Sequence, residues 1–98
     1  MTELLNLIHA HLPSKTQLVA VAFRKDGSEA VALLHGDQPE RWTVATYAVG
    51  LGRVDSHHYG PDIAGVQSSC TKFIELAAGC VREYPSWYTP APPYRAED

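Results

Sequence analysis

The sequence predicts a single α+β domain in which a helix, a four-stranded antiparallel meander and a second helix follow one another along the chain. Apolar residues recur at helical spacing near both ends of residues 1–83, and four strand-like segments lie between them. Residues 84–98 then change to a composition rich in proline and aromatic residues. We therefore expect one domain over residues 1–83 and an extended tail over residues 84–98.

The bulk composition fits one globular core. The chain has 98 residues, of which 45% are hydrophobic and 19% are charged. Its formal net charge is −3 and its basic residues are dispersed, which disfavours electrostatic binding of nucleic acid. No basic segment precedes the first apolar stretch, and no apolar run approaches about 18 residues. We therefore expect neither secretion nor a membrane span.

The first helix is predicted to begin at Thr2, whose hydroxyl can cap it, and to end near Leu12, because Pro13 cannot continue a helix. Its apolar side chains share one stripe, formed by Leu4, Leu5, Leu7, Ile8 and Leu12. That stripe is expected to pack against the sheet.

The meander is predicted from β-branched and aromatic residues in four short segments separated by turn-forming residues. The strands are expected over residues 18–24, 29–35, 41–49 and 53–59. The Asp26–Gly27 pair favours a hairpin turn, Gly36 to Glu40 reads as a loop, and Gly50 to Gly52 as a third turn. Short connections of this kind join antiparallel strands.

The second helix is predicted to follow Gly60 and Pro61, with Asp62 as its cap or as an acid in its first turn, and to run to about Arg82. Its expected core face consists of Ile63, Val66, Cys70, Phe73, Ile74, Ala77 and Val81. Gly65 falls on the polar side of that pattern.

The two cysteines are predicted to be free thiols. Cys70 and Cys80 lie ten residues apart in one helix, which separates them by about 15 Å, whereas a disulfide tolerates about 4.4–6.8 Å between Cα atoms. Free thiols are typical of a reducing compartment, so we expect a cytoplasmic protein. Cys70 is interpreted as a small apolar core residue rather than as a nucleophile.

Turn geometry predicts which side chains share a face of the sheet. The expected cross-strand pairs are Phe23–Ala30, Val21–Ala32, Val19–Leu34, His35–Arg41, Leu34–Trp42 and Tyr47–Asp55. The first face, on which we expect both helices, would carry Val19, Val21, Phe23, Leu34, Trp42, Val44, Ala48 and Val54.

The second face of the predicted sheet is too apolar to be fully exposed to solvent. It would carry Leu18, Ala20, Ala22, Val31, Leu33, Thr43, Ala45, Tyr47 and Val49. An uncovered apolar face usually marks an interface, so we expect a homodimer with Leu33 in the contact. A partner, a ligand, the aromatic tail or the first helix could cover the same face instead.

A polar cluster is predicted where the third and fourth strands meet, formed by Tyr47, Arg53, Asp55, His57 and Tyr59. A carboxylate beside an imidazole and two phenols could orient a small polar ligand or transfer protons. Cross-strand polar pairs at a sheet end look the same without any function, and this simpler interpretation is favoured.

No catalytic residue, metal ligand or cofactor is predicted. The five histidines include His9 and His11, which point apart on a helix, and His57 and His58, which alternate across the sheet. No cysteine and histidine show the spacing of a zinc site.

The tail has prolines that exclude a helix or a central strand, and it is expected to be polyproline-like. Trp87 and Tyr88 would gain free energy by burial, so we expect residues 84–90 to dock against the domain or a dimer mate. Alternatively, the tail is a ligand for an aromatic groove on another protein.

The segment from Arg41 to Tyr47, the run His57-His58-Tyr59 and the helix that follows resemble small uncharacterised accessory proteins of actinobacteria and bacteriophages. The resemblance covers roughly residues 41–80. It implies an accessory and often non-enzymatic protein, in phage settings sometimes an inhibitor of a host or defence protein. It assigns no site residues.

These observations favour a non-enzymatic protein–protein binding module, an inhibitor or regulator of a partner that the sequence does not name. Trp, Tyr and Arg, which dominate interface energetics, suit such a role. The alternative is a small-ligand-binding protein or minor enzyme that uses the cluster around Tyr47 and His57. A pocket that encloses the cluster would favour the alternative, and a flat apolar face would favour the module.

Overall fold

The structure, a computed structural model, describes residues 2–37 and 40–81. The elements are α1 (Thr2–Ala10), β1 (Thr16–Phe23), β2 (Glu29–Asp37), β3 (Glu40–Ala48), β4 (Gly52–Tyr59) and α2 (Ile63–Val81). The four strands form one antiparallel sheet in the order β1-β2-β3-β4. The predicted order of helix, meander and helix is confirmed, whereas the expected tail over residues 84–98 lies outside the described residues.

The two helices lie on opposite faces of the sheet, so the expectation that both cover one face is wrong. On the α1 face, Leu4 and Ile8 pack against buried side chains of β2 and β3, namely Ala30, Ala32, Leu34, Ala45 and Tyr47. On the α2 face, Phe73 and Leu76 pack against Val31, Leu33 and Val44. The sheet is therefore covered on both sides, and the alternative in which the helices separate is the one observed.

The hairpin between β1 and β2 follows the prediction at its turn and departs from it further along. Phe23 pairs with Ala30 as expected, and Asp26 accepts hydrogen bonds from the amide and hydroxyl of Ser28 at 2.9 and 2.6 Å. The register then shifts between Leu18 and Ala20, so Leu34 pairs with Leu18 rather than with Val19. A bulge of this kind adds one residue to one strand and bends it.

The hairpin between β2 and β3 is tighter than predicted. Asp37 pairs with Glu40, so His35 faces Trp42 rather than Arg41, and Leu34 faces Thr43 rather than Trp42. A slip of one residue sends every side chain of a strand to the other face. Tyr47 therefore joins the α1 face.

The β3–β4 register is also different from the prediction. Tyr47 pairs with Arg53 instead of Asp55, and the register shifts between Thr46 and Tyr47 so that Asp55 pairs with Thr46. Gly50 and Gly52 adopt φ values of 83° and 79° in this turn, a conformation that L side chains rarely adopt.

The orientation of α2 is set at its first turn. The Gly65 amide donates to Asp62 Oδ1 at 2.9 Å, which confirms Asp62 as the cap. Gly65 is buried, and a Cβ there would collide with the Gly60 carbonyl oxygen. The helix thus turns Gly65 and Ser69 toward the sheet and turns Ile63 and Ile74 outward, 77% and 66% exposed, so their predicted place on the core face is wrong.

Candidate functional site

The predicted polar cluster does not form one site, because its members lie on both faces of the sheet. Tyr47 and Arg53 pair with each other on the α1 face. Asp55 and His57 pair with Thr46 and Val44 on the α2 face, and Tyr59 packs against the α2 cluster. The slipped registers of β3 and β4 are the physical reason for this division.

Tyr47 and Arg53 form the tightest pair among the predicted residues. The Tyr47 side chain is fully buried, and Arg53 Nη2 and Nε donate to its hydroxyl at 2.8 and 3.3 Å. The Arg53 Cζ also lies 5.4 Å from the Tyr47 ring centroid. The phenol holds the guanidinium in place but carries no negative charge to neutralise it.

Asp55 and His57 form an open pair on the edge strand. His57 Nε2 lies 3.1 Å from Asp55 Oδ2, and both side chains remain well exposed. An exposed contact between a carboxylate and an imidazole contributes little to stability, about 0–1 kcal/mol even as an ion pair. With neither a nucleophile beside it nor a cavity around it in the described contacts, the pair resembles an ordinary surface interaction.

A cleft on the α1 face gathers basic side chains that sequence reasoning did not bring together. It lies between the loop after α1 and strands β2, β3 and β4, and its polar lining consists of Ser14, Thr16, Arg41, Thr43, Arg53 and His58. Arg53 was in the predicted cluster, but Arg41 and His58 were not. The signal that could have found them is the β2–β3–β4 rung, in which Leu34 pairs with Thr43 and Thr43 with His58.

His58 is held at the rim of this cleft by Thr43. The Thr43 hydroxyl lies 2.9 Å from His58 Nδ1, so the hydrogen bond fixes the ring and leaves Nε2 as its second polar atom. Partial burial lowers the pKa of His58 below its usual value, and the positive charges of Arg41 and Arg53 and the nearby His57 lower it further. Burial and the neighbouring positive charges therefore both disfavour the protonated form of the imidazole.

The outer face of α2, defined here as Ile63, Ala64, Gln67, Thr71, Ile74 and Ala78, has a different character. All six residues are exposed and none is charged. Lys72 and Glu75, the only charged residues in the 19-residue helix, lie beside this face and contact each other at 3.4 Å. A helix face that points away from the core usually carries charge.

The structure also bears on the other predicted contact residues, Leu33, Trp87 and Tyr88, and on the predicted core residue Cys70. Leu33 is buried beneath α2, 5% exposed, because the helix covers the face on which Leu33 was expected to meet a dimer mate. Trp87 and Tyr88 lie outside the described residues. The Cys70 thiol packs in the α2 cluster, on the opposite face of the sheet from His58, so these two side chains do not form a catalytic pair.

In residues 2–37 and 40–81, no group of three or more His, Cys, Asp or Glu side chains could hold a metal ion. No described helix is long and apolar enough to cross a membrane. Comparison of the chain with protein-family models, with curated proteins and with solved structures finds no match. The assignment of function therefore depends on the surfaces of the molecule itself.

Proposed function

We propose that the protein is a non-enzymatic protein–protein binding module whose contact surface is the outer face of α2. The observation that supports the proposal is the lack of charge on an exposed helical face. The face carries the exposed apolar side chains of Ile63 and Ile74 and no charged residue, whereas the solvent-facing side of a helix usually carries charged and polar residues. The sheet buries one side of α2, and a partner would bury the other.

Ile63 and Ile74 are the expected anchors of this contact. They are eleven positions apart, so they point in nearly the same direction and lie about 16 Å apart along the helix. Each gains about 1.5–3 kcal/mol when it moves from water into an apolar contact. Two anchors at that spacing suit a long helix or groove as the partner surface.

A second copy of the chain is the first partner that we propose. An uncharged stripe is self-complementary, because two copies related by a twofold axis bring apolar residues together without like-charge repulsion. The homodimer expected from the sheet face would thus form on α2 instead. The sheet face itself has no role in this contact, since α2 already covers it.

Sedimentation equilibrium of the full chain at micromolar concentration tests the proposal. The wild-type protein should sediment at twice the 10.8 kDa chain mass. Ile74→Glu should sediment as a monomer with an unchanged circular dichroism spectrum. Leu51→Glu provides the matched control, since Leu51 is 55% exposed in the β3–β4 turn, away from α2, and this variant should remain dimeric.

A wild-type monomer across the concentration range would contradict the homodimer. The same two variants then test a different protein partner by affinity capture from the native host. A protein that binds the wild type and Leu51→Glu but not Ile74→Glu would support the module. A protein that binds all three equally would contradict the outer face of α2 as its contact.

The alternative of a ligand site built from Tyr47, Asp55, His57 and Tyr59 has lost its geometric support, because these side chains lie on two faces. A small-ligand role finds support at a different place, the basic cleft on the α1 face.

A further inference from the structure

The basic cleft arises from the way in which the chain leaves α1. The helix ends at Ala10, and Ser14 of the following loop and Thr16 at the start of β1 line one wall. Gly36 on β2 has no side chain to fill the space between this loop and Arg41, which is its cross-strand neighbour. The cleft therefore results from the path of the backbone after α1 and from a glycine on the α1 face of the sheet.

The charge of the cleft is unbalanced. Arg41, Arg53 and His58 line it, and no carboxylate does so among the residues that the structure describes. In the same residues, Arg41 and His58 have no ion pair, and Arg53 makes its hydrogen bonds to the neutral Tyr47 hydroxyl. Converging positive groups repel one another, and an anion between them removes that repulsion.

The size of the cleft limits what it can hold. Its volume is about 70 Å³, well below the roughly 300–1,000 Å³ of sites for drug-sized ligands. Only a small group fits, and the partners available to it are two guanidinium groups, an imidazole and three hydroxyls. Guanidinium groups bind phosphate through paired hydrogen bonds. A phosphate also has enough oxygens to serve three basic partners, whereas a carboxylate has two.

We propose that this cleft binds a phosphate group, either free phosphate or the phosphate of a small monoester. Arg41 and Arg53 are its charged contacts, and His58 donates a third hydrogen bond from Nε2, which becomes charge-assisted when the imidazole is protonated. Thr43 positions that imidazole through its hydrogen bond to Nδ1. The site is independent of the protein-binding proposal, because it lies on the other side of the sheet from α2.

An NMR titration of the full chain tests the site, with inorganic phosphate, glycerol phosphate and acetate added at constant ionic strength. Phosphate should shift the amide signals of Arg41, Thr43, Arg53 and His58 and leave those of α2 unchanged. Arg41→Gln should weaken binding about tenfold or more, as expected for the loss of a charge-assisted hydrogen bond. Lys72→Gln, which removes a positive charge on α2, should bind phosphate like the wild type.

His58→Gln is the second variant, because His58 lies on the exposed edge strand and its replacement leaves the core intact. It should weaken binding several-fold at pH 6 and much less at pH 8, where the wild-type imidazole is neutral as well. Tighter binding of glycerol phosphate than of phosphate would identify a monoester, and equal or weaker binding would identify free phosphate.

Four results would overturn the proposal. Signal changes spread over the whole surface, or equal weakening by Arg41→Gln and Lys72→Gln, would mean that phosphate only screens charge. Acetate binding as tightly as phosphate would mean that the cleft does not select a phosphate. Unchanged affinity in both Arg41→Gln and His58→Gln would remove the cleft from the binding altogether.

Discussion

The two faces of the sheet differ mainly in the length of the helix that covers them. α1 has nine residues and α2 has nineteen, which correspond to about 14 and 28 Å of helix, whereas a nine-residue strand extends about 30 Å. The long helix contacts all four strands, whereas the short one mainly contacts β2 and β3, and the cleft beside Arg41 lies next to the loop that follows it. The comparison teaches that a short helix, the path of the loop after it and a glycine on β2 can together leave room for a polar cleft beside a continuous core.

The covered faces also differ in their surroundings. On the α1 side, the uncovered part of the sheet is basic, with Arg41, Arg53 and His58 around the cleft. On the α2 side, the helix presents its own uncharged outer face to solvent. We therefore place the proposed ligand site and the proposed protein contact on opposite sides of one sheet, where each can be altered without touching the other.

Leu33→Asp should have the largest effect, because it places a charge beneath α2 with no partner. We expect destabilisation of about 5 kcal/mol or more, against a typical total stability of about 5–15 kcal/mol. Circular dichroism during thermal unfolding should show little or no cooperative transition. Leu51→Asp, an equal change in an exposed turn, should stay within about 0.5 kcal/mol of wild type.

The same variant separates two views of the second face. A sheet face that meets a dimer mate would tolerate Leu33→Asp with an intact fold and lose only its association. A native spectrum and a cooperative transition for Leu33→Asp would therefore contradict the placement of α2 over Leu33 and restore the sheet-face interface.

Cys70→Ala should have an intermediate effect on the α2 face. Cys70 contacts the cluster of Val31, Leu33 and Val44 and is only partly exposed. Removal of its sulfur should cost about 1–2 kcal/mol, measured by urea denaturation, and should leave partner binding unchanged. In a Cys80→Ser background, the Cys70 thiol should react with a thiol reagent much more slowly in the folded than in the unfolded protein. An equal rate in both states would mean that α2 does not shield it.

The elements were predictable from the sequence, because they depend on local signals. Pro13 ends the chain's first helical stretch, Asp26 and Gly27 form the expected turn, and Asp62 caps α2. Each of these residues acts on neighbours within a few positions. The order of helix, four strands and helix follows from such signals and from the apolar spacing between them.

The face of the sheet on which each side chain lies was not predictable. It depends on shifts of one residue in strand register and on the rotation of α2, and local signals determine neither. Val19 lies in a uniformly apolar run, so no alternation of polar and apolar residues marks the bulge. Gly36 and Asp37 favour turns but continue β2, which shifts the pairing with β3 by one residue. The rotation of α2 depends on the contact between Gly65 and the Gly60 carbonyl, and apolar residues lie on both sides of that helix.

The candidate site was likewise predictable where it depends on neighbours along a hairpin and not predictable where it depends on the register of several strands. Tyr47 and Arg53 were predicted to lie near each other, and they do. Asp55 and His57 form their own pair, but the bulge in β4 places them on the other face. Arg41 and His58 could be recognised as neighbours only once the register of three strands was known, because they are seventeen positions apart in the sequence.

The smallest expected effect is a pH dependence from His58, and its sign follows from its surroundings. Partial burial is the first cause of the lowered pKa of His58, followed by Arg41 on β3 and by Arg53 and His57 on β4. The residues between α1 and β2 that line the cleft on this side are Pro13, Ser14 and Thr16, and all three are uncharged. A lowered folded-state pKa means that the unfolded chain takes up the proton first, so acidification through the usual histidine pKa of about 6.5 reduces stability.

His58→Gln should remove this component, so its free energy of unfolding should fall less steeply than that of wild type between pH 7.5 and 5.5. Exposure of the ring to solvent keeps the difference small. High salt should reduce the part due to Arg41 and Arg53 and leave the part due to burial. The measurement is urea denaturation across that pH range at low and high salt, with His9→Gln on the exposed side of α1 as control. Parallel curves for wild type and His58→Gln would show that the open end of the α1 face imposes no electrostatic cost. That result would remove the contrast between a basic, open face and a covered, apolar one.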